Sequence, residues 1–131
     1  MSAQPRPLCG MRVIELAHIM AGPLCGMMLA DMGADVIKVE KIDGGDDSRR
    51  MVPPSVDGES AAFLMMNRNK RGVALDLKSE KGKEVLTDLL EHADCVIENF
   101  RHDTMKRLGL SFEHLKAINP GLIYVEISGY G

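Results

Sequence analysis

Arg68, Lys70 and Arg71 crowd three cations into the short stretch "NRNKRG" (67–72), and the loop "GDDSRR" (45–50) lies close by in sequence. Residues of these types can hold an anion, each Arg through two parallel hydrogen bonds and Lys as a point charge. A solvated charge run is the plain alternative. A second stretch, "AHIMAGP" (17–23), has Ala21-Gly22-Pro23 where a strand should pass into a helix. Such a turn lets backbone approach a ligand closely and aims helix N–H groups outward, favouring an anion by roughly 0.3–1 kcal/mol; the alternative is an ordinary tight turn. The third, "IENFRHDTMKRLG" (97–109), offers the Asn99 amide, the flat face of Phe100 and the Arg107 cation. No G-x-G-x-x-G is present, and no acidic residue is placed to hold a ribose, which argues against a dinucleotide.

The elements that must carry these residues alternate. Met11–Ala17 and "ADVIKVE" (34–40) read as strands, and a helix between them has Pro23 at its start and Gly33 at its stop, with Leu24, Met27, Met28 and Met32 on a 3.6-residue period. That is one β-α-β unit. "DGGDDSRRMVPPSVDGE" (43–59) reads as a long loop. "GVALDL" from Gly72 is a third strand. Ser79 is placed to cap a helix running through Ala93, whose buried stripe is Val85, Leu86, Leu89, Leu90 and Ala93. "DCVIENF" from Asp94 is a fourth strand, two short helices follow across Asp103–Leu108 and Ser111–Ile118, and "LIYVEIS" from Leu122 is the last strand. This order implies an α/β domain, a mostly parallel sheet with helices over it. Ligands of such sheets collect outside the carboxyl ends of the strands, and all three stretches are expected there.

Composition bounds the function without naming it. With 131 residues, 45% hydrophobic and 27% charged, the chain is one soluble domain built on one core, and ten methionines against 4% aromatics imply a core of aliphatic and thioether side chains. A net charge of −3 gives no global reason to bind nucleic acid or an anionic membrane. Cys9, Cys25 and Cys95 are scattered and lack metal-ligand spacing, so neither a disulfide framework nor a metal site is expected, and the cytoplasm is the expected compartment. No apolar run reaches the roughly 18 residues of a spanning helix.

Taken in order, "RVIELAHIMAGP", "LADMGADVIKVEK", "GDDSR", "NRNKRGVALDLKSEKGKEVLTDLLEHADCVIENFR" and "RLGLSFEHLKAINPGLIYVEISGYG" closely resemble the start of the family III coenzyme A transferases, the carnitine dehydratase and bile-acid-inducible protein F group. The resemblance runs from about Gly10 to Gly131. It implies a Rossmann-like domain with helices on both faces that binds CoA, in a homodimer whose subunits interlock. Carried over by position, CoA contacts fall on His18, Ile19, Met20 and Ala21, on Lys41, on Leu75 and Lys78, and on Asn99, Phe100 and Arg107. Lys41 stands where some members have arginine and pairs with phosphate without bidentate geometry. Met20 replaces a glutamine of some transferases and has no amide to offer.

The implied substrates are CoA thioesters and small carboxylic acids, with no permanently bound cofactor and no metal. In the transferases an aspartate attacks the acyl-CoA, giving an acyl anhydride and then an aspartyl-CoA thioester. That aspartate follows the "SGYG" stretch in family members. No residue of this chain is therefore assigned a catalytic role; residues 1–131 are expected to be a single truncated CoA-binding domain, inactive alone. A 2-methylacyl-CoA racemase of the same family and a non-catalytic CoA-binding or oligomerising module are the other two readings. His92, His102 and His114 read as scattered surface or packing residues.

Overall fold

The computed structural model describes residues 6–130. Strand β1 (Arg12–Glu15) leads through a turn into helix α1 (Ala21–Asp31), which returns as β2 (Asp35–Glu40). A 3₁₀ turn (Asp47–Arg50) and a small hairpin, β3 (Ser55–Val56) with β4 (Glu59–Ser60), precede helix α2 (Ala61–Asn67). Then come β5 (Arg71–Ala74), α3 (Glu80–Glu91), β6 (Cys95–Glu98), the short α4 (Thr104–Arg107), α5 (Phe112–Ile118) and β7 (Ile123–Glu126).

The five long-range strands form one sheet in the order β5-β2-β1-β6-β7, and every pairing in it is parallel. β1 is central: the chain first builds outward to β2 and β5, then reverses to β6 and β7. Helices cover both faces, so the middle strands are buried on two sides. On one face Val13, Ala17, Val36, Cys95 and Ile97 meet Ala30 and Ala34 at the α1 end. On the other, Ile14, Ile37, Val39 and Val96 pack on Leu86 and Leu90 of α3, Met105 of α4 and Leu115 of α5. The Ser79 cap forms as its sequence position implies, its hydroxyl accepting from the Gly82 amide, and Ser111 caps α5 the same way through His114.

Two expectations need correction. The loop 43–59 contains ordered local structure, and the α2 helix after it had no sequence signal because its seven residues include none that are fully buried. Helix α1 also buries a different face from the one its large side chains mark. Gly22, Pro23, Gly26, Met27 and Ala30 face inward, while Leu24, Met28 and Met32 stay substantially exposed.

Close approach explains that choice. A methyl group on Gly22 would sit 2.2 Å from the Ala17 Cβ, and one on Gly26 would sit 1.9 Å from Glu15 Oε2. Only glycine lets the helix lie this near the end of β1. In an unconstrained helix Gly→Ala is favourable by up to about 1 kcal/mol. Here Gly26→Ala is expected to destabilise by about 1–3 kcal/mol, the usual cost of overpacking, because the buried carboxylate it meets cannot swing aside. A lowered urea midpoint at unchanged m-value checks this; an unchanged or raised midpoint would show that the helix can lift away without cost.

Candidate functional site

The strand order reverses beside β1, so the loops after β1 and β6 diverge and leave a crevice between them. A cleft of about 590 Å³ opens there, lined by His18 and Phe100 at the switch point, by Lys41 and Ile42 after β2, by Leu75, Leu77 and Lys78 after β5, and by Thr104 and Leu108. Its wall is largely apolar, and its charged lining is Lys41 and Lys78 together with Glu40, Asp43 and Asp76. The structure thus brings His18, Lys41, Leu75, Lys78 and Phe100 to one cavity, five of the ten positions expected from the resemblance.

The other five sit around it in different ways. Asn99 does not line the cleft; its Oδ1 accepts from the His18 amide at 2.8 Å and its Nδ2 donates to the His18 carbonyl at 2.9 Å. Both ends of the amide are thereby committed to tying the two loops together. This bracing sets the His18 and Phe100 rings 5.3 Å apart at a 43° tilt. Ile19 and Met20 are exposed, and Ala21 opens α1; none of the three lines the cleft. Arg107 points along α4 to the Thr104 hydroxyl at 3.2 Å, beside the cleft rather than in it.

Beneath the turn lies a buried ionic chain that sequence reasoning missed. Glu15 and Lys38 are register partners on β1 and β2, and the Lys38 ammonium reaches Glu15 Oε1 at 2.9 Å, Asp46 Oδ2 at 2.8 Å and the Ala17 carbonyl at 2.8 Å. Lys70 approaches the other Glu15 oxygen at 2.7 Å and donates to the Pro23 carbonyl and to Asn67. Asp46 also accepts from the Ser48 amide and hydroxyl and from the Ile19 amide, at 3.1 Å to one oxygen and 3.2 Å to the other. The Asp46 amide in turn donates to Glu40, which Arg49 grips through two hydrogen bonds of 2.7 Å each while its guanidinium lies 3.7 Å over the Phe63 ring. The signal was present in the sequence: a lysine and a glutamate inside apolar runs of strands that a parallel sheet buries on both faces.

This chain corrects the reading of "NRNKRG". Arg68 pairs with Asp31 at 2.6 Å, Arg71 with Asp35 at 2.7 Å, and Lys70 is consumed by Glu15. None of the three lines the cleft. The stretch runs into β5, whose first two residues are Arg71 and Gly72, and so lies at that strand's amino end, the opposite end from the one where ligands gather. Among the described residues no group of three or more acidic, His or Cys side chains is arranged to hold a metal ion, and no helix is long and apolar enough to cross a membrane.

Protonation follows the geometry. Burial tends to raise the Asp46 carboxyl, but hydrogen bonds from Lys38 and Ser48 and the Lys38 charge overcome it and hold the group far below the usual carboxylate range. Burial pushes the His18 imidazole down, against the pull of Asp46. Burial likewise lowers the Lys70 ammonium despite Glu15.

Comparison with known proteins agrees with this architecture. The profile described as CoA-transferase family III matches residues 8–131. The chain belongs to that family. It is 53% identical over 131 residues to succinate–glutarate CoA-transferase of Agrobacterium fabrum, covering 95% of this chain and 33% of that protein. It is 43% identical over 126 residues to formyl-CoA:oxalate CoA-transferase of Afipia carboxidovorans, covering 96% and 30%. The crystal structure of a CAIB/BAIF family protein from Brucella suis superimposes with a TM-score of 0.91 at 48% identity, over 98% of this chain and 35% of that one. The chain therefore spans about a third of the length of these relatives.

The ionic chain sets a pH dependence. Asp46 has a folded pKa below its ordinary 3.8, so its contribution to stability is complete above that value and is lost as pH falls through and below it. His18, lowered from 6.5, adds a milder loss as pH falls through that value, because the unfolded chain takes up the proton more readily. Replacing Asp46 by Asn leaves Lys38 short of a counter-charge and is expected to cost about 3 kcal/mol at neutral pH. Urea midpoints measured from pH 7 to pH 3 check both points: the variant should start lower and show a flatter acid limb, whereas parallel curves would remove Asp46 from the account.

Proposed function

We propose that the cleft at the switch point binds the CoA moiety of an acyl-CoA, and that the protein transfers CoA from this thioester to a small carboxylic acid. The observation that carries the reading is the cleft itself: an apolar wall of Leu75, Leu77, Ile42 and Leu108 with Lys41 and Lys78 at its rim, placed after β1, β2, β5 and β6 in a chain of this family. Similar proteins named as CoA-transferases acting on succinate and glutarate or on formyl-CoA and oxalate support the same chemistry.

In this reading the nucleotide packs against the apolar wall and the His18–Phe100 pair, and Lys41 and Lys78 meet phosphate oxygens. Arg107 adds positive charge beside the cleft. Ile19, Met20 and Ala21 take part through the backbone of the turn. Asn99 acts by holding that turn in place.

Acyl exchange then needs a carboxylate nucleophile. It attacks the thioester carbonyl and expels CoA as thiolate, leaving a mixed anhydride; the thiolate returns to the enzyme's carboxyl carbon and releases the donor acid. The acceptor repeats the two steps in reverse order. No atom changes oxidation state, so the proposed reaction calls for no redox cofactor. The buried carboxylates beside the cleft are unsuited to this work, because Glu40 and Asp46 already accept charge-assisted bonds from Arg49 and Lys38. The nucleophile, an aspartate, is the one the family resemblance implies after the "SGYG" stretch, and in this reading residues 1–131 are the single CoA-binding domain beside it. Homodimerisation and a cytoplasmic setting belong to the same proposal; the exposed Leu24, Met28 and Met32 of α1 offer apolar surface to a partner, and Cys9, Cys25 and Cys95 are free thiols.

Calorimetric titration tests the binding half. CoA should bind, dephospho-CoA should bind more weakly, and NADH should not bind. Lys78→Ala should weaken CoA by about tenfold, as expected for one charge-assisted contact of ~1.5 kcal/mol. Absence of CoA binding by the folded protein would overturn the assignment.

A further inference from the structure

Lys41 is not free at the cleft rim. Its ammonium lies 2.7 Å from Asp47 Oδ1, and the same carboxylate oxygen is held from the other side by the Arg50 guanidinium. Asp47, just outside the lining of the cleft, is thus the anion that now holds the ammonium of Lys41, a cleft residue. It is held there by local structure: Asp46 caps the 3₁₀ turn through the Ser48 amide, and Asp47 is the turn's first residue. Both members of the Lys41–Asp47 pair are about half exposed, at 47% and 49%, so the pair can open without dismantling anything buried. Hydrogen bonding from Lys41 holds the Asp47 carboxyl below its ordinary range, so it is anionic at neutral pH.

We propose that Asp47 is a built-in competitor for Lys41, a specificity-determining residue that an incoming phosphate must displace before Lys41 can bind it. The inference rests on the reading of the cleft as a CoA site. Its physical content is an exchange: one exposed ion pair is broken when another forms, so the net gain from Lys41 is only the difference between phosphate and carboxylate as partners. A phosphate monoester, such as the 3′-phosphate of CoA, carries about −1.5 to −2 at neutral pH against the single charge of an aspartate, and wins that exchange. A neutral ligand gains nothing from it, and a singly charged carboxylate brings no more charge than Asp47 itself. The rim therefore favours phosphate-bearing ligands over the free carboxylic acids that the proposed reaction also handles.

The consequence runs against the simple expectation that changing a residue beside a binding site weakens binding. Removing the competitor should strengthen it, by about two- to fivefold, the worth of one exposed ion pair. The test is a double-mutant cycle read by CoA titration at low and high salt, on the wild-type protein, Asp47→Asn, Lys41→Met and the double variant. The expected result is that Asp47→Asn tightens CoA, that Lys41→Met weakens it, and that Asp47→Asn has little effect once Lys41 is gone. High salt should shrink the gain, because exposed charges are screened.

An unchanged or weaker CoA affinity in Asp47→Asn, with Lys41→Met still weakening it, would overturn the proposal and leave the CoA site standing. Tightening that persists in the Lys41→Met background would overturn it as well, reducing Asp47 to a general repulsive charge. Failure of the wild-type protein to bind CoA at all would instead defeat the reading of the cleft.

Discussion

Lys38 is the residue on which the geometry around the turn depends. It is 2% exposed, in the middle of a parallel sheet, and a lone ammonium in such a place would be expelled or neutralised. It survives because three oxygens surround it, from Glu15 on the next strand, Asp46 on the loop after β2 and the Ala17 carbonyl at the end of β1. Those partners come from two separate segments, β1 with its exit and the loop after β2. Satisfying one buried charge therefore specifies where the turn begins, where the loop returns and, through Glu15, where Lys70 and the start of β5 must lie. Apolar residues in the same places could stabilise as much, but they would not demand one particular arrangement of loops.

Local strain is held by the same means. Ile19 adopts φ = 66°, a conformation that costs a β-branched residue of order 1–3 kcal/mol. Its amide is aimed at the Asp46 carboxylate, and the neighbouring His18 amide is held by Asn99. Two successive peptide groups are thus fixed by side chains from opposite sides of the switch point. Glu98 does the corresponding job after β6, accepting from the Phe100 amide at 2.8 Å and from the Tyr124 hydroxyl at 3.0 Å. The mouth of the cleft is braced on both banks by buried carboxylates, which fix its shape before any ligand enters.

Much of this was readable from the chain, and the parts that were not have a common cause. The strands from Met11, Ala34, Gly72, Asp94 and Leu122 all form, because apolar runs bounded by turn residues leave few alternatives. Ser79 behaves as its position implies, and of the five-residue stripe Leu86, Leu90 and Ala93 are buried and Leu89 partly so, while Val85 is 38% exposed and does not belong to it. The inward face of α1 was hidden because what it buries is the absence of side chains, at Gly22 and Gly26, and hydrophobic periodicity counts large residues. Arg68, Lys70 and Arg71 misled for a related reason: composition shows cations but not the acids that sequence-distant strands bring to meet them. Asp31, Asp35 and Glu15 lie 37, 36 and 55 positions away, on elements whose register only the folded sheet defines.

That contrast separates the cations of this domain into two kinds. The side chains of Lys38 and Lys70 are each 2% exposed and locked by several partners, so their charge is spent on architecture. Lys41 and Lys78 are exposed at the cleft, the Lys41 ammonium with one exchangeable partner and the Lys78 ammonium with none among the described residues, only the Lys78 amide donating to Asp76. A buried pair resists competition because breaking it strands a charge away from water, whereas an exposed pair costs little to exchange. Recognition of an anion therefore falls to the rim, and rigidity to the floor. The parallel sheet makes the division possible: its buried middle supplies a low-dielectric place for the locked ions, and the carboxyl ends of its strands, where loops diverge, leave the exposed cations facing one opening.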